Sequence, residues 1–167
     1  MHHIRPETKS DYPAIRLITE LAFRNKPYAG GDEQDVIDRL RDRHALTLSL
    51  VAVADDTVIG HVAFSPATVA DESYPWFALG PISVLPDHQN QGIGTALIHE
   101  GMQRLTELGA LGCILTGDPA YYSRFGFQLS PDNAPDAEPA EYFMTKWLTA
   151  TRPSGKFSFH QAFYSSH

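Results

Sequence analysis

Ile82 to Leu97 reads ISVLPDHQNQGIGTAL. Ile82 to Leu85 has the make-up of a strand that stops at Pro86, and the polar residues Asp87 to Gln91 make a turn. From Gly92 onward the apolar positions Leu97, Ile98, Met102, Leu105 and Leu108 keep helical spacing until Gly109, which is placed to end the helix. A helix start leaves backbone N–H groups unpaired at the positive end of the dipole, so a glycine-containing strand-to-helix turn is a natural cradle for a pyrophosphate. Glycine there permits unusual φ angles and lets a ligand approach the backbone without a Cβ in the way. Two phosphate-binding designs are disfavoured. The dinucleotide fingerprint needs Gly or Ala at the last place of GxGxxG, where GIGTAL has Leu97, and it needs the glycines directly after the strand. A P-loop needs a lysine, and the turn has none.

Working outward, Asp11 is placed to cap a helix with the apolar stripe Ile15, Ile18, Leu21 and Ala22, and Pro13 is tolerated in its first turn. Asp32 is placed to cap a second, carrying Val36, Ile37 and Leu40 on one face. Asn25 to Gly31 is a turn-rich connector between them. Leu48–Ala54 and Val58–Phe64 read as a strand pair turning at Asp55-Asp56, and a third strand runs from about Phe77 to Leu85. Beyond the central helix, Leu111 to Leu115 is a short strand. Asp118-Pro119 starts a short helix that ends at Gly126. Ser130 to Glu141, with three prolines and four carboxylates, is a surface loop. Tyr142–Leu148 and Lys156–Tyr164 alternate well enough to be two closing strands. Helices, then antiparallel strands, then a strand–helix–strand unit predict an α/β or α+β sandwich around a mixed sheet.

The 167 residues, 43% of them apolar, fit a single domain over 1–167 with a self-sufficient core. One cysteine, Cys113, excludes a disulfide framework and multi-cysteine metal sites. The eight histidines show no HExxH spacing, so no metal is expected. A net charge of −7 without a clustered basic patch argues against a nucleic-acid partner. No apolar run approaches the ~20 residues of a membrane span, and the amino terminus has no apolar secretion signal, so a cytoplasmic protein away from membranes is expected.

The turn Gln89-Asn90-Gln91-Gly92-Ile93-Gly94 matches the (Gln/Arg)-x-x-Gly-x-(Gly/Ala) turn of the GCN5-related N-acetyltransferases (GNAT). Tyr122-Ser123-Arg124-Phe125-Gly126-Phe127 matches that family's Tyr-x-x-x-Gly-Phe ending. The chain therefore resembles this family. GDPAYYSRFGF from Gly117, LGPISVLPDHQNQGIG from Leu79 and the closing FSFHQAFY look like its YhbS-like branch of predicted acetyltransferases. The resemblance implies a mixed, mostly antiparallel central sheet flanked by helices and splayed between strands four and five. It implies acetyl-CoA as cosubstrate in that splay, with Ile82, Ser83 and Val84 pairing with its pantetheine arm. Gln89, Asn90, Gln91, Gly92, Ile93, Gly94 and Thr95 would form the pyrophosphate turn. The acceptor would be a primary amine of a small molecule or peptide, and the protein a monomer or homodimer.

Acetyl transfer to an amine needs a neutral nucleophile, a donor for the oxyanion and a proton for the departing thiolate. Tyr122, four residues before Gly126, stands where the family's general acid stands. Tyr121 is the alternative, since adjacent helical residues point about 100° apart. The oxyanion donor implied is the Val84 N–H. No carboxylate lies on WFALGPIS, where many relatives carry a glutamate, so Glu72, Asp71, His61 or ordered water stay open as the base. The same gap leaves a second reading, an acyl-CoA-binding sensor or partner module with little catalysis. Thioesterase chemistry lacks a GxSxG elbow. Cys113 reads as a core thiol, Asp118 as a cap, and Ser83 either as a group facing the acceptor or as filler. Asp32, Glu33, Asp132, Asp136 and Glu138 fall in two segments expected to rim the acceptor entrance, where they would either attract a cationic amine or simply form a solvated loop face.

Overall fold

The computed structural model describes residues 2–24, 26, 30–70, 72–150 and 154–164. The strands are β1 His3–Pro6, β2 Leu48–Ala54, β3 Thr57–Val69, β4 Glu72–Val84, β5 Gly112–Thr116, β6 Gln128–Leu129, β7 Phe143–Trp147 and β8 Phe157–Ser158. The helices are α1 Tyr12–Phe23, α2 Glu33–Asp42, α3 Ile93–Glu107 and α4 Pro119–Tyr122. Among the described residues the strands form one sheet in the order β1-β2-β3-β4-β5-β7-β6, and β8 pairs with β3. The β4–β5 pairing is parallel and the other pairings are antiparallel. This is the mixed, mostly antiparallel sheet flanked by helices that the sequence implies.

The expected helices form. Leu97, Ile98, Met102 and Leu105 of α3 bury against Leu50, Val62, Phe64 and Leu79 on one face of the sheet. Gly101 is the point of closest approach, since a Cβ there would stand 2.3 Å from the Phe64 ring. On the opposite face, Ile15 of α1 and Ile37 of α2 pack on Val51 and Val53. Asp11 precedes α1 as expected, but its carboxylate does not cap that helix. It accepts from the Thr8 N–H at 2.7 Å and from both terminal nitrogens of Arg5.

Several boundaries differ from the sequence expectation. The central hairpin is longer: β3 continues to Val69 and β4 begins at Glu72. Pro66 is tolerated in β3 because it falls between the end of the β2 ladder at Phe64 and the start of the β8 ladder at Thr68, where one edge is free. Lys156–Tyr164 is not one strand. Only Phe157–Ser158 pairs, after which the His160 side chain accepts from the Ala162 N–H and turns the chain at Gln161–Phe163. The acidic loop is drawn toward this closing segment rather than to an open rim. Lys156 pairs with Asp136, the Tyr164 hydroxyl donates to Glu138, and Asn133 donates to the Gly155 carbonyl.

Candidate active site

The sheet opens between β4 and β5. Their ladder runs only from Trp76–Gly112 to Ala78–Ile114, and β4 then continues alone on that side to Val84. A bulge causes the divergence. Leu79 opposes Phe64 and Ile82 opposes Val62, so Gly80 and Pro81 face the single residue Ala63. Gly80 takes φ +133, and Pro81 has no N–H to give to a neighbour. Beyond the bulge the backbone polarity of β4 is set by one bond: the Leu85 N–H donates to the Ile59 carbonyl of β3. Alternate residues of a strand present their polar groups to opposite edges. Val84 and Ile82 therefore turn their N–H and C=O toward the opening, and the Val84 carbonyl accepts there from Gln89 Nε2 at 3.1 Å.

A cavity of about 630 Å³ fills this opening. Ile82, Ser83 and Val84 form one wall, and Gln89, Asn90, Gly92, Ile93, Gly94 and Thr95 form another. Gln91 of the same turn is exposed and is not among the lining residues. The turn depends on left-handed backbone at Asn90 (φ 63) and Gly92 (φ 82). The first α3 bond is from the Ala96 N–H to the Gly92 carbonyl, so the N–H groups of Gly92 to Thr95 precede the helical ladder. Gly94 projects into the space between this turn and Tyr121, where a Cβ would lie 3.0 Å from the Tyr121 hydroxyl. The donor set and the glycine-lined gap fit a pyrophosphate and an extended amide-bearing arm.

Three cationic or titratable side chains missed in the sequence also line the cavity: Lys26, His88 and Arg124. No sequence motif marks Lys26, because only folding brings the segment after α1 opposite the turn. Arg124 stacks over the Tyr121 ring at 4.9 Å. No carboxylate is among the described residues lining this cavity. A second cavity of about 350 Å³, sharing Phe23 and Lys26 with the first, is lined by Glu20 and Glu33 among others. Asp132, Asp136 and Glu138 line neither cavity.

The two tyrosines of α4 diverge. Tyr121 lines the main cavity, whereas the Tyr122 ring lies over Gly117 at the end of β5, 2.6 Å from where a Cβ would stand, and edge-on to Phe127. Asp118 caps α4 by accepting from the Ala120 N–H at 3.0 Å. His61 is fully buried, and desolvation together with the Arg41 charge pushes its pKa down to about 3. It holds no direct line to an acceptor. Asp71 and the side chain of Glu72 lie outside the described residues, as do Asn25 and residues 27–29 of the connector. Cys113 is buried, its thiol pushed well up by desolvation, so it is no nucleophile. Among the described residues no group of His, Cys, Asp and Glu could hold a metal ion, and no helix is long and apolar enough to cross a membrane.

Residues 3–130 match the family described as acetyltransferase (GNAT) domain. Over 128 residues the chain is 38% identical to the uncharacterized N-acetyltransferase YhbS of Escherichia coli K12, covering 76% of this chain and 74% of that one. It superimposes on a GNAT family acetyltransferase from Brucella melitensis, solved in complex with acetyl-CoA, with a TM-score of 0.87, 43% identity and 98% of each chain covered. On E. coli YhbS, solved in complex with CoA, the TM-score is 0.90 at 32% identity, covering 98% of this chain and 92% of that one. With the splayed sheet, the glycine turn and these relatives in agreement, the chain belongs to the GNAT acetyltransferases.

Proposed function

We propose that this chain is a single-domain, cytoplasmic N-acetyltransferase, acting as a monomer or homodimer, that binds acetyl-CoA in the β4–β5 opening. In this reading it transfers the acetyl group directly to a primary amine of a small molecule or peptide. The observation that carries the reading is the conjunction of an unpaired β4 edge at Ile82–Val84 with the free N–H groups at the start of α3, across one cavity. Bound there, the thioester supplies the acetyl group. Ile82 and Val84 hold the arm with their outward backbone groups, and the Val84 N–H stands ready for the oxyanion. Gln89, Asn90 and Gly92 to Thr95 cradle the phosphates, Gln91 flanks them, and Lys26 and Arg124 add positive charge at the rim beside His88. Tyr122 gives its phenolic proton to the departing sulfur, a phenol near pKa ~10 being protonated at neutral pH. Tyr121 shapes the cavity opposite Gly94. The acceptor enters beside the α1 end and the second cavity, whose lining sets Glu20 and Glu33 against Arg24 and Lys26.

The lack of a carboxylate among the described lining residues favours a second reading, a module that binds acyl-CoA with little turnover. Calorimetry with acetyl-CoA and CoA release over a panel of amines separate the two. Amine-dependent release supports the transferase, amine-independent release means hydrolysis, and binding without release means a sensor. No binding at millimolar acetyl-CoA refutes both. Tyr122→Phe is expected to lower kcat by about a hundredfold with acetyl-CoA affinity held within about twofold. Loss in Tyr121→Phe instead moves the acid to Tyr121, and unchanged turnover in both variants removes the tyrosines from the chemistry.

A further inference from the structure

A line of buried polar groups crosses the sheet beneath α1, one residue to a strand. Ser83 of β4 is the register partner of His61 of β3, so the two side chains share a face with Cβ atoms about 5 Å apart. His61 Nε2 meets Ser49 Oγ of β2 at 2.8 Å, and Ser49 donates to Glu7 Oε1 at 2.6 Å, just beyond β1. Arg41 holds both Glu7 oxygens, at 2.8 and 3.2 Å.

The donors along this line can be assigned. Glu7, gripped by Arg41, is ionised and only accepts, so the single Ser49 hydrogen is committed to it. The Ser49–His61 contact must then be donated by His61 Nε2–H. That leaves Nδ1 as a bare lone pair, buried and without a hydrogen-bond partner. At the other end, Thr19 commits its hydroxyl to the Ile15 carbonyl at 2.7 Å, so Ser83 is the donor in its long 3.3 Å contact with Thr19. Among the described residues a buried orphan acceptor thus lies across the β3–β4 register from a hydroxyl held by one long bond, and Ser83 lines the cavity next to Ala22 and Phe23 of α1.

We infer that Ser83, His61, Ser49 and Glu7 form a proton relay that takes the place of a general base on β4, an inference that rests on the acetyltransferase reading. As the amine nitrogen bonds to the acetyl carbon, its proton passes, directly or across one water, to Ser83 Oγ. Ser83 gives its own hydrogen to His61 Nδ1, Nε2–H passes to Ser49 Oγ, and the Ser49 hydrogen goes to Glu7. One proton leaves the amine and one arrives at Glu7, which releases it to solvent. His61 ends as the other neutral tautomer and never carries net charge, in keeping with its full burial. Ser83, which meets the amine, is the catalytic residue of the line, and His61, Ser49 and Glu7, which act through it, are positioning residues.

Nitrogen NMR of the full chain labelled at histidine tests the line without any acceptor. Expected is a neutral His61 protonated at Nε2, with the Nδ1 resonance moving in Ser83→Ala and the Nε2 resonance moving in Ser49→Ala. An Nδ1–H tautomer, or an Nδ1 signal indifferent to Ser83→Ala, overturns the relay. With the best amine of the release panel, His61→Gln keeps a donor toward Ser49 but cannot pass a proton on. Its kcat should fall about tenfold or more with KM for acetyl-CoA within about twofold, and the solvent isotope effect on kcat should change. Unchanged kcat in a folded His61→Gln overturns the proposal, and if that variant does not fold, Ser83→Ala and Ser49→Ala give the same test. Failure of every amine refutes the acetyltransferase reading, while the NMR arm still decides whether the groups are connected.

Discussion

Gly92 and Gly94 sit two residues apart in the phosphate turn for opposite physical reasons, and separate substitutions should reveal this. Gly92 holds φ 82 and ψ 8, a left-handed conformation, and a Cβ there would meet nothing within 4 Å. The cost of Gly92→Ala is therefore backbone strain alone, about 1–2 kcal/mol. For a domain of this size each kcal/mol is worth about 2–4 °C, so its melting temperature should fall by about 2–8 °C. Gly92→Asn should recover part of that loss, because Asn tolerates this region and accepts as a helix cap. Gly94 has no such backbone demand. Gly94→Ala gains up to about 1 kcal/mol of helix propensity, offset by a methyl 3.0 Å from the movable Tyr121 hydroxyl. Its stability should change by less than about 1 kcal/mol. Alanine is also one of the two residues that the turn pattern admits at this position, so a methyl should leave binding nearly intact. The larger side chain of Gly94→Val reaches further into the gap facing Tyr121, where a phosphate would approach the Gly94 and Thr95 N–H groups. Losing one charged hydrogen bond there is worth about 1.5–3 kcal/mol. Acetyl-CoA should then bind Gly94→Val about ten- to a hundredfold more weakly. Thermal melts of the free protein and calorimetry with acetyl-CoA read the two effects apart. A Gly94→Val protein that binds acetyl-CoA as tightly as the parent refutes the cradle.

His61 sets a pH dependence of stability. Its folded pKa of about 3 lies below the ordinary value of 6.5, so the unfolded chain binds the extra proton, and stability present above pH 6.5 is lost as pH falls toward 3. The slope approaches about 1.4 kcal/mol per pH unit, and urea titrations at pH 7, 5 and 4 should show it shrink in His61→Gln, leaving the shares of His160, also lowered by burial, and of Asp11, held low by Arg5. Gly101→Ala tests the α3 contact with the sheet: its Cβ would overlap the fully buried Phe64 ring at 2.3–2.4 Å, and overpacking of about 1–3 kcal/mol should outweigh the helix-propensity gain. A raised denaturation midpoint in that variant refutes the close packing, and Phe64→Leu in the same chain should restore part of the loss.

The elements that carry long, regular patterns were legible in the sequence, and the short ones were not. The apolar spacing from Leu97 to Leu105 and the run Leu48–Ala54 fix α3 and β2, because burial of a whole face demands those residues. β1 and β6, of four and two residues, hold too little pattern to distinguish them from loop, and they exist because β2 and β7 offer them an edge. The alternating aromatics after Lys156 suggested a strand, but Phe159 packs on Phe143 and Phe163 around a turn rather than in a ladder. In the site, the phosphate turn is one continuous segment and could be read directly. Lys26 and Arg124 come from segments far apart in the chain. The pairing of Ser83 with His61 depends on a β-register that the Gly80–Pro81 bulge displaces, and no local pattern encodes it.

The absence of a carboxylate among the described residues lining the main cavity has an electrostatic logic. A ligand with phosphates is polyanionic, and a glutamate beside the reacting centre would add a repulsive charge where low dielectric magnifies it. The chain carries a net charge of −7, yet the charged side chains lining this cavity are Lys26 and Arg124. Its acidic groups are held elsewhere, Asp35 and Asp38 on Arg16 and Glu7 on Arg41. A proton acceptor is still needed for the amine. A relay along Ser83, His61 and Ser49 keeps the accepting carboxylate about three strand spacings, roughly 14 Å, from the cleft edge of the sheet. The cavity stays positive for the cosubstrate, and the base stays paired with its own arginine. Placing a carboxylate at the cavity wall by Ser83→Asp separates the two demands: weaker acetyl-CoA binding is expected from the added charge. Affinity equal to the parent's would show that the missing carboxylate has no electrostatic purpose.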